Sequence, residues 1–347
     1  MPSDVIFLTG GTGYLGSHIL NQLLAKGYTV RAAVREKKAA QIKKLYESYG
    51  SKVEVVIIDD ISTAQFPEAL KGVNAIIHTA APLAYAVSDA EGQLKGAVEG
   101  VLNVLRQAEK AGIHKVVVTS TILTAFTPQY TFGPDDWMAI TKEEALKTEG
   151  VTAYMAAKTL AEKEVWSFAE AHPQMDITTI NPPYMYGAAT KEFNSFLTAP
   201  SLTQISTLIN IYKLLNPQGA YPDYPLYIDV RDVAKAHIGA LSSPPASSVS
   251  GGRKRIHISS PHDTVFADII KVINEKRPEL KDRLTKTTPP EFPFKKLAYD
   301  GKKVEVVCGL KPEDFVPVND TFVDSIDTLI VLEEQWKAAG HKVEAPQ

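Results

Sequence analysis

The chain has 347 residues, with 37 lysines and arginines against 40 aspartates and glutamates, and a net charge of −3. This balance argues against nucleic-acid and anionic-membrane partners, and no run of about 18 apolar residues is present to span a bilayer. The single cysteine, Cys308, excludes an internal disulfide and is typical of a reducing compartment, so we expect a cytoplasmic protein. Residues 1–4 lead directly into an apolar run, and we therefore expect no signal peptide.

A glycine-rich turn follows the first apolar run, residues 5–8, and opens a helical pattern that ends near Lys26 and Gly27. The order predicts a strand, a tight turn and a helix N-terminus, which together bind the pyrophosphate of a dinucleotide. An ordinary βα turn is the alternative, because glycine pairs are common in such turns. The expected contacts are Gly10, Thr12, Gly13, Tyr14, Leu15 and Gly16.

The end of the second predicted strand, residues 28–34, indicates which dinucleotide binds. NAD sites carry an acidic residue about 20 residues beyond the glycines, where this chain has Val34 and then Arg35. A guanidinium can bind the 2′-phosphate of NADP, so we predict NADP(H), with Arg35 and Lys38 as phosphate ligands. Arg31 is either a second phosphate ligand or an ordinary surface residue, and a solvated turn is the alternative for residues 35–38.

Further apolar runs lie at 53–58, 73–78, 115–119 and 175–180, with helical patterns such as 94–111 between them. The alternation predicts an α/β fold, a Rossmann-type doubly wound parallel sheet whose ligands bind beyond the carboxyl ends of the strands. Prolines and glycines multiply after residue 181, which predicts a smaller, irregular C-terminal substrate lobe. We expect an NADP-binding domain over 1–181, with 226–240 and about 255–260 returning to its sheet, and a lobe over 182–225 and 261–347.

A hydroxyl cluster, Thr119, Ser120 and Thr121, follows the fifth predicted strand, and a helical pattern carries Tyr154 and Lys158. The spacing of four puts the phenol and the ammonium on one helix face. An ammonium lowers the pKa of a tyrosine, which is ordinarily about 10, and a hydroxyl can bind a carbonyl oxygen. The three groups are therefore predicted to move a proton on or off a carbonyl or carbinol oxygen. Tyr299 has the same spacing from Lys303, but glycine interrupts it and we interpret it as a turn.

These residues resemble the extended short-chain dehydrogenases/reductases over nearly the whole chain. The similarity is greatest to fungal aldehyde/ketone (methylglyoxal-type) reductases, dihydroflavonol reductases and cinnamoyl-CoA reductases. The motifs that carry it are Gly10-x-x-Gly13-x-x-Gly16, Asp60-Ile61, 78–82, Tyr154-x-x-x-Lys158, Asn181-Pro182-Pro183 and 227–234.

The resemblance implies that Thr121 is the catalytic hydroxyl, with Ser120 as the second choice, and that Lys158 binds the nicotinamide ribose. It also implies cofactor contacts from the ends of several strands. These expected contacts are Thr119, Asp60, Ile61, Thr79, Ala80, Ala81, Pro82, Pro182, Pro183 and Tyr184.

Departures from the family pattern narrow the expected reaction. Ile122 and Leu123 follow Thr121 where sugar-nucleotide dehydratases carry an acidic pair, which argues against dehydration. The Asn-Trp-Tyr motif of cinnamoyl-CoA reductases is missing around Tyr154, and Ala157 replaces a common serine.

The predicted substrate wall is apolar or aromatic and contains no lysine or arginine, which favours a small, hydrophobic carbonyl compound. Its expected residues are Leu83, Tyr85, Ile122, Phe126, Tyr184 and Met185, with Phe132 and Phe193 nearby. We predict no metal, because His18, His237 and His257 lack ligand spacing. Asp229 and Asp232 flank Arg231, and a structural ion pair is expected there, with acid–base catalysis as the alternative.

The predicted activity is thus NADPH-dependent reduction of an aldehyde or ketone by a monomer or homodimer. Two alternatives stay open, an NAD-dependent sugar-nucleotide epimerase of the same fold and a non-catalytic NADP(H) sensor.

Overall fold

The computed structural model describes residues 4–81, 89–127, 132–133, 135–292, 297 and 299–347. The chain divides into two compact units. The first comprises Met1–Asn181, Ala234–Ile258 and Tyr299–Leu310, and the second comprises Pro182–Val233, Ser259–Ala298 and Lys311–Gln347.

The described elements alternate between strands and helices through the first half of the chain. The strands are β1 (Val5–Thr9), β2 (Thr29–Val34), β3 (Val53–Ile57), β4 (Ala75–His78), β5 (Lys115–Thr119), β6 (Asp176–Asn181), β7 (Tyr184–Tyr186), β8 (Tyr227–Asp229) and β9 (Lys254–His257). The helices are α1 (Tyr14–Ala25), α2 (Glu36–Leu45), α3 (Ala90–Lys110), α4 (Lys142–Ala145), α5 (Gly150–Ala171), α6 (Lys191–Ser195), α7 (Leu208–Tyr212), α8 (Val230–Ala240), α9 (Phe266–Lys276), α10 (Gly301–Cys308) and α11 (Val318–Ala338).

The first unit is built on a seven-stranded parallel sheet in the order β3-β2-β1-β4-β5-β6-β9. The six strands predicted between residues 5 and 180 are all present, and the Rossmann-type fold class is confirmed. The order of strands reverses between β1 and β4, and open α/β sheets bind ligands beyond the carboxyl ends at such a point.

Two late segments were candidates to join this sheet, and one of them does. β9 lies beside β6 at the edge, as expected for 255–260. The expectation for 226–240 is wrong in its strand, because β8 pairs with β7 in a separate two-stranded sheet of the second unit. Three residues with an apolar pattern fit either sheet equally well, so the sequence pattern does not distinguish the two partners.

The sheet of the first unit is buried on both faces. On β1, Phe7 belongs to a core cluster with residues of α3 and α5, such as Val104 and Val165, whereas its neighbours Ile6 and Leu8 are equally buried and point to the other face. Such burial is typical of a parallel sheet covered by helices on both sides.

The segment Tyr299–Leu310 groups with the first unit, although the sequence analysis assigns it to the substrate lobe. It forms α10, so the turn expected at 299–303 is wrong, because Lys303 lies in this helix. α10 contacts β9, and a Cβ added at Gly239 in α8 would lie 1.8 Å from the carbonyl oxygen of Cys308. The Cys308 thiol is buried, and burial raises its pKa to about 12.

The second unit has an aromatic core. Tyr186 of β7 stacks on Tyr227 of β8 at 6.3 Å between ring centroids, and Phe322 of α11 lies 5.1 Å from Tyr227. The ion pair expected for Asp229 and Arg231 is present at 2.7 Å, and Arg231 also contacts Asp324 at 2.8 Å. Asp229, Arg231 and Asp324 therefore form structural ion pairs within this unit.

Candidate active site

The three glycines of the turn differ in how much space the surrounding backbone leaves for a side chain. Gly10 has φ of +76°, and a Cβ there would lie 2.4 Å from Oγ1 of Thr79. A Cβ at Gly16 would lie 2.0 Å from the Gly10 carbonyl oxygen, whereas at Gly13 the same distance is 3.2 Å. Side chains at Gly10 and Gly16 are therefore incompatible with this path of the backbone, which brings the turn against the end of β4.

The helix after this turn presents backbone N–H groups at its first turn. α1 begins at Tyr14 with Gly13 as N-cap, and its first turn holds no acidic side chain. Tyr14 and Leu15 have buried side chains, so only their backbone groups can serve as the contacts predicted for them. The partial positive charge of a helix N-terminus suits an anion such as a pyrophosphate.

A basic cluster lies beside the glycine turn at the start of α2. Lys38 Nζ donates to Thr12 Oγ1 at 3.3 Å, and Arg35 is exposed at the N-cap of α2. Burial, followed by the charges of Lys37 and Arg35, lowers the pKa of Lys38. The positive charges of Arg35, Lys37 and Lys38 therefore repel one another, and an anion bound among them would reduce this repulsion.

Arg31 has structural partners instead of a place in this cluster. Its guanidinium contacts the Glu54 carboxylate at 2.6 Å and donates to the carbonyl oxygens of Ala69 and Lys71, both at 2.8 Å. Register explains the first contact, since Arg31 and Glu54 are paired across β2 and β3. These contacts favour a structural role for Arg31 over that of a second phosphate ligand, the other alternative that the sequence left open.

The turn after β3 is held by its own side chains and by α3. The Asp60 carboxylate accepts hydrogen bonds from Ser62 and Thr63, which lower its pKa. The Ile61 carbonyl accepts from Asn103 Nδ2 at 2.8 Å. Asp60 is exposed and Ile61 half-buried, and both remain predicted contacts of the adenine.

The end of β4 is tied to the end of β1. Thr79 Oγ1 donates to the Thr9 carbonyl at 2.8 Å, and the Ala80 N–H donates to Thr9 Oγ1 at 3.2 Å. Thr79, Ala80 and Ala81 thereby lie next to the glycine turn. The predicted contacts Pro82, Leu83 and Tyr85 fall outside the described residues.

Tyr154 and Lys158 lie one turn apart on α5, and both side chains are partly buried. Lys158 Nζ donates to the Thr119 carbonyl at the end of β5, at 3.1 Å. Burial raises the pKa of Tyr154 to about 12 and lowers that of Lys158 to about 8, although the charge of Glu162 opposes the change at Lys158. The expected lowering of the Tyr154 pKa by Lys158 is therefore not found, because burial raises that pKa instead. The phenol is protonated at neutral pH, and the Lys158 ammonium still carries its proton.

The two candidate hydroxyls have different partners. Ser120 Oγ donates to Glu162 Oε2 at 2.5 Å, whereas Thr121 Oγ1 accepts from the Leu123 N–H at 3.3 Å. Thr119 Oγ1 pairs with His237 Nε2 at 2.8 Å, so its side chain has a structural partner too.

Glu162, a buried carboxylate four residues after Lys158, also lies at this site and was not predicted from the sequence. It pairs with Arg255 of β9 at 2.8 Å. A helical spacing that aligns a glutamate with Lys158 and Trp166 was the available signal.

Comparison with known proteins places this geometry in a family. The family model described as "NAD dependent epimerase/dehydratase family" matches residues 6–251, which include the glycine turn, the hydroxyl cluster and the Tyr154/Lys158 pair. The chain belongs to this family. The resemblance to extended short-chain dehydrogenases/reductases is thereby confirmed.

Relatives of this epimerase/dehydratase family member include several reductases. A protein of Schizosaccharomyces pombe described as an uncharacterized oxidoreductase is 35% identical over 84% of this chain and 89% of its own length. The NADPH-dependent methylglyoxal reductase GRE2 of Saccharomyces cerevisiae is 26% identical over 94% of this chain and 98% of its own length. The crystal structure of yeast methylglyoxal/isovaleraldehyde reductase Gre2 with NADPH matches with a TM-score of 0.79, at 26% identity over 95% and 99% of the two chains.

Other predicted contacts of this family member lie in its second unit or its core. Tyr184 Oη donates to Asp223 at 3.0 Å, and the Met185 carbonyl accepts from Thr207. Pro182 and Pro183 precede β7, and Phe193 is buried in α6. In the first unit, Ile122 is 1% exposed and so is a core residue, whereas Phe126 is partly exposed and packs on Phe132 at 6.1 Å.

Among residues 4–81, 89–127 and the later described parts, no group of three or more His, Cys, Asp or Glu side chains could hold a metal ion. Within the same part of the chain, no helix is both long and apolar enough to cross a membrane.

Proposed function

We propose that the protein reduces a hydrophobic aldehyde or ketone to the alcohol with NADPH. In this proposal Tyr154 donates its phenolic proton to the carbonyl oxygen, and Lys158 stabilises the tyrosinate that forms. The observation that carries it is the Tyr154/Lys158 pair on α5, with Lys158 anchored to the Thr119 carbonyl at the end of β5. The similarity to a methylglyoxal reductase that uses NADPH supports the same chemistry.

The residues at the glycine turn fit this cofactor. Gly10, which has no Cβ, lets the turn lie against Thr79 at the end of β4. The first turn of α1 offers N–H groups to the pyrophosphate, and Lys38 with Arg35 offers positive charge to the 2′-phosphate. NADPH, when bound, supplies hydride to the carbonyl carbon.

The acid form of the tyrosine suits reduction. Burial holds the pKa of Tyr154 at about 12, so the phenol has its proton across neutral pH. The ammonium of Lys158 becomes more valuable as that proton leaves, because it then faces a phenolate.

We assign the oxygen-binding hydroxyl to Thr121. Ser120 Oγ donates its hydrogen bond to Glu162 Oε2 at 2.5 Å and is therefore engaged by a buried carboxylate. Thr121 Oγ1 accepts from the Leu123 N–H at 3.3 Å, and Thr121 is the hydroxyl residue that the family resemblance implies.

The substrate class is inferred from the absence of fixed cations in the predicted wall. Residues 120–127 contain no lysine or arginine, and neither do 82–88 or 184–186. A phosphate, carboxylate or sugar nucleotide would call for such groups. An NAD-dependent epimerase would carry an acidic residue where this chain has Arg35. Reduction is therefore the favoured reaction.

Replacement of Tyr154 by phenylalanine tests the proposal. We expect Tyr154→Phe to lose about 10²–10⁴-fold in turnover, measured as NADPH oxidation with a panel of aldehydes and ketones. NADPH affinity, followed by fluorescence titration, should hardly change. The matched control is Tyr299→Phe, the other tyrosine four residues before a lysine, which should retain full activity.

Three results would contradict parts of this proposal. Full activity of Tyr154→Phe would remove the assigned proton donor. Tight NADPH binding by the wild-type protein without turnover of any carbonyl compound would favour the sensor. A preference for nucleotide sugars over bulky or aryl ketones would overturn the apolar substrate class.

A further inference from the structure

A buried carboxylate connects the two halves of the proposed catalytic set. Glu162 lies one helical turn beyond Lys158 on α5 and is 2% exposed. It accepts hydrogen bonds on both oxygens from four different segments of the first unit. The donors are Ser120 Oγ (2.5 Å), Thr124 Oγ1 (2.7 Å), Asn181 Nδ2 (2.7 Å), Arg255 Nε (2.8 Å), Trp166 Nε1 (3.3 Å) and Thr179 Oγ1 (3.3 Å).

The same network fixes the position of Thr121. The Thr121 carbonyl accepts from Asn181 Nδ2 at 3.2 Å, and the same amide group donates to Glu162 at 2.7 Å. Thr124 Oγ1 lies 2.9 Å from the Thr121 carbonyl and 2.7 Å from Glu162, so these two acceptors share its single proton. Movement of Glu162 would therefore displace the backbone that carries the proposed oxygen-binding hydroxyl.

The charges around Lys158 leave Glu162 as its electrostatic partner. A small cavity of about 20 Å³, room for one water molecule, is lined by both side chains together with residues of α3, β4 and β5. From β4 the cavity receives His78, which burial and the Lys158 charge keep neutral, since its pKa is lowered to about 3. From β5 it receives the Thr119 segment, and from α3 only Ala97 and Val101.

Arg255 is the cation in direct contact with Glu162. Its guanidinium is 4% exposed, donates to the Asp136 carbonyl at 2.7 Å and lies 3.8 Å from the centroid of the Trp137 ring. Glu162 thus pairs directly with the Arg255 guanidinium and lines one cavity with Lys158. Removing the carboxylate leaves two buried cations without it, whereas removing Arg255 leaves Lys158 as the cation that shares the cavity with Glu162.

We propose that Glu162 is a positioning residue that keeps the Lys158 ammonium charged and holds the Thr121 backbone in place, an inference that rests on the proposed function. A purely structural ion pair would affect folding without discriminating between the two partners. The electrostatic role predicts shifts of opposite sign for Glu162 and Arg255.

Competitive acylation of the apo protein measures the charge of Lys158 without any catalysis. Only the neutral amine reacts, so the extent of Lys158 labelling against pH, read by peptide mass spectrometry, gives a midpoint. For Glu162→Gln we expect this midpoint to fall by on the order of one pH unit. For Arg255→Gln we expect it to rise, and for Glu164→Gln, an exposed carboxylate on the same helix, we expect no change.

Midpoints that stay fixed in both variants, or that move in the same direction, would overturn the inference. If Glu162→Gln does not fold, the double variant Glu162→Gln/Arg255→Met removes both charges together, and its midpoint should fall by a smaller amount. An unchanged midpoint in that folded variant would also overturn it.

Kinetics separate this inference from the proposed function. The alkaline limb of kcat/KM for carbonyl reduction should move with the labelling midpoint, to lower pH in Glu162→Gln. If the labelling midpoint moves and the limb does not, Lys158 is not the group that assists Tyr154, and the proposed function fails while the electrostatic link stands.

Discussion

The basic cluster at the start of α2 allows a quantitative test of cofactor choice through Lys38→Met. Methionine keeps the stem of the side chain and removes the ammonium that lies 3.3 Å from Thr12 Oγ1. A hydrogen bond to a charged group contributes about 1.5–3 kcal/mol, so the Kd of NADPH should rise roughly 10- to 150-fold. NADH lacks the 2′-phosphate, and its Kd should stay within about a factor of two.

Stability of the free protein should respond in the opposite sense. The pKa of Lys38 is lowered by burial and by the charges of Lys37 and Arg35, so removal of its charge relieves repulsion. We expect the Tm of apo Lys38→Met to match or exceed that of the wild type. Lys44→Met, at the exposed far end of the same helix, is the control and should leave both affinities unchanged.

Fluorescence titrations measure the Kd values of NADPH and NADH for the wild type, Lys38→Met and Lys44→Met. Arg35→Asp should weaken NADPH binding further, because a carboxylate repels the phosphate. Equal losses for NADPH and NADH in Lys38→Met would refute the reasoning, since they would place the ammonium at a part of the cofactor that the two molecules share.

Further predictions concern the glycine turn, the edge of the sheet and the buried histidine. Gly16→Ala should abolish NADPH binding, because its Cβ would lie 2.0 Å from a carbonyl oxygen, while Gly13→Ala at 3.2 Å should retain weaker binding; comparable Kd values in the two variants would contradict this. Arg31→Met should lower Tm and leave the NADPH Kd unchanged, since its partners are structural. His78 binds protons more weakly when folded, with its pKa lowered from 6.5 to about 3, so the unfolded state takes up protons first as the pH falls through this range. Stability present above pH 6.5 is therefore lost toward pH 3, and urea midpoints of His78→Gln should depend less on pH across that window than those of the wild type.

The sheet could be predicted because parallel strands buried on both faces are continuous apolar runs. β1, β4 and β5 have such runs, whereas charged or polar residues interrupt those of β2, β3 and β6. The glycine turn adds a spacing that predicts a strand before it and a helix after it. β8 could not be placed in the same way, because a strand of three residues does not indicate which sheet it joins.

Electrostatic partners were harder to predict than elements. Arg31 looks like a second cation near the phosphate site until the register of β2 against β3 brings Glu54 opposite it. The burial of Glu162 was not predicted, because a glutamate on a helix is ordinarily exposed. Its burial depends on donors from β5, β6 and β9, which are distant in sequence.

The single thiol of the chain, that of Cys308 in α10, can report local opening of the structure. Cys308 is the chain's one cysteine, it is buried, and its neighbourhood includes the tight contact of its carbonyl with Gly239. A thiol reagent added to the native protein should therefore react only as fast as α10 detaches, without any engineered probe. Comparing that rate with and without NADPH would report how far ligand binding in the first unit stiffens a helix that takes no part in the proposed chemistry.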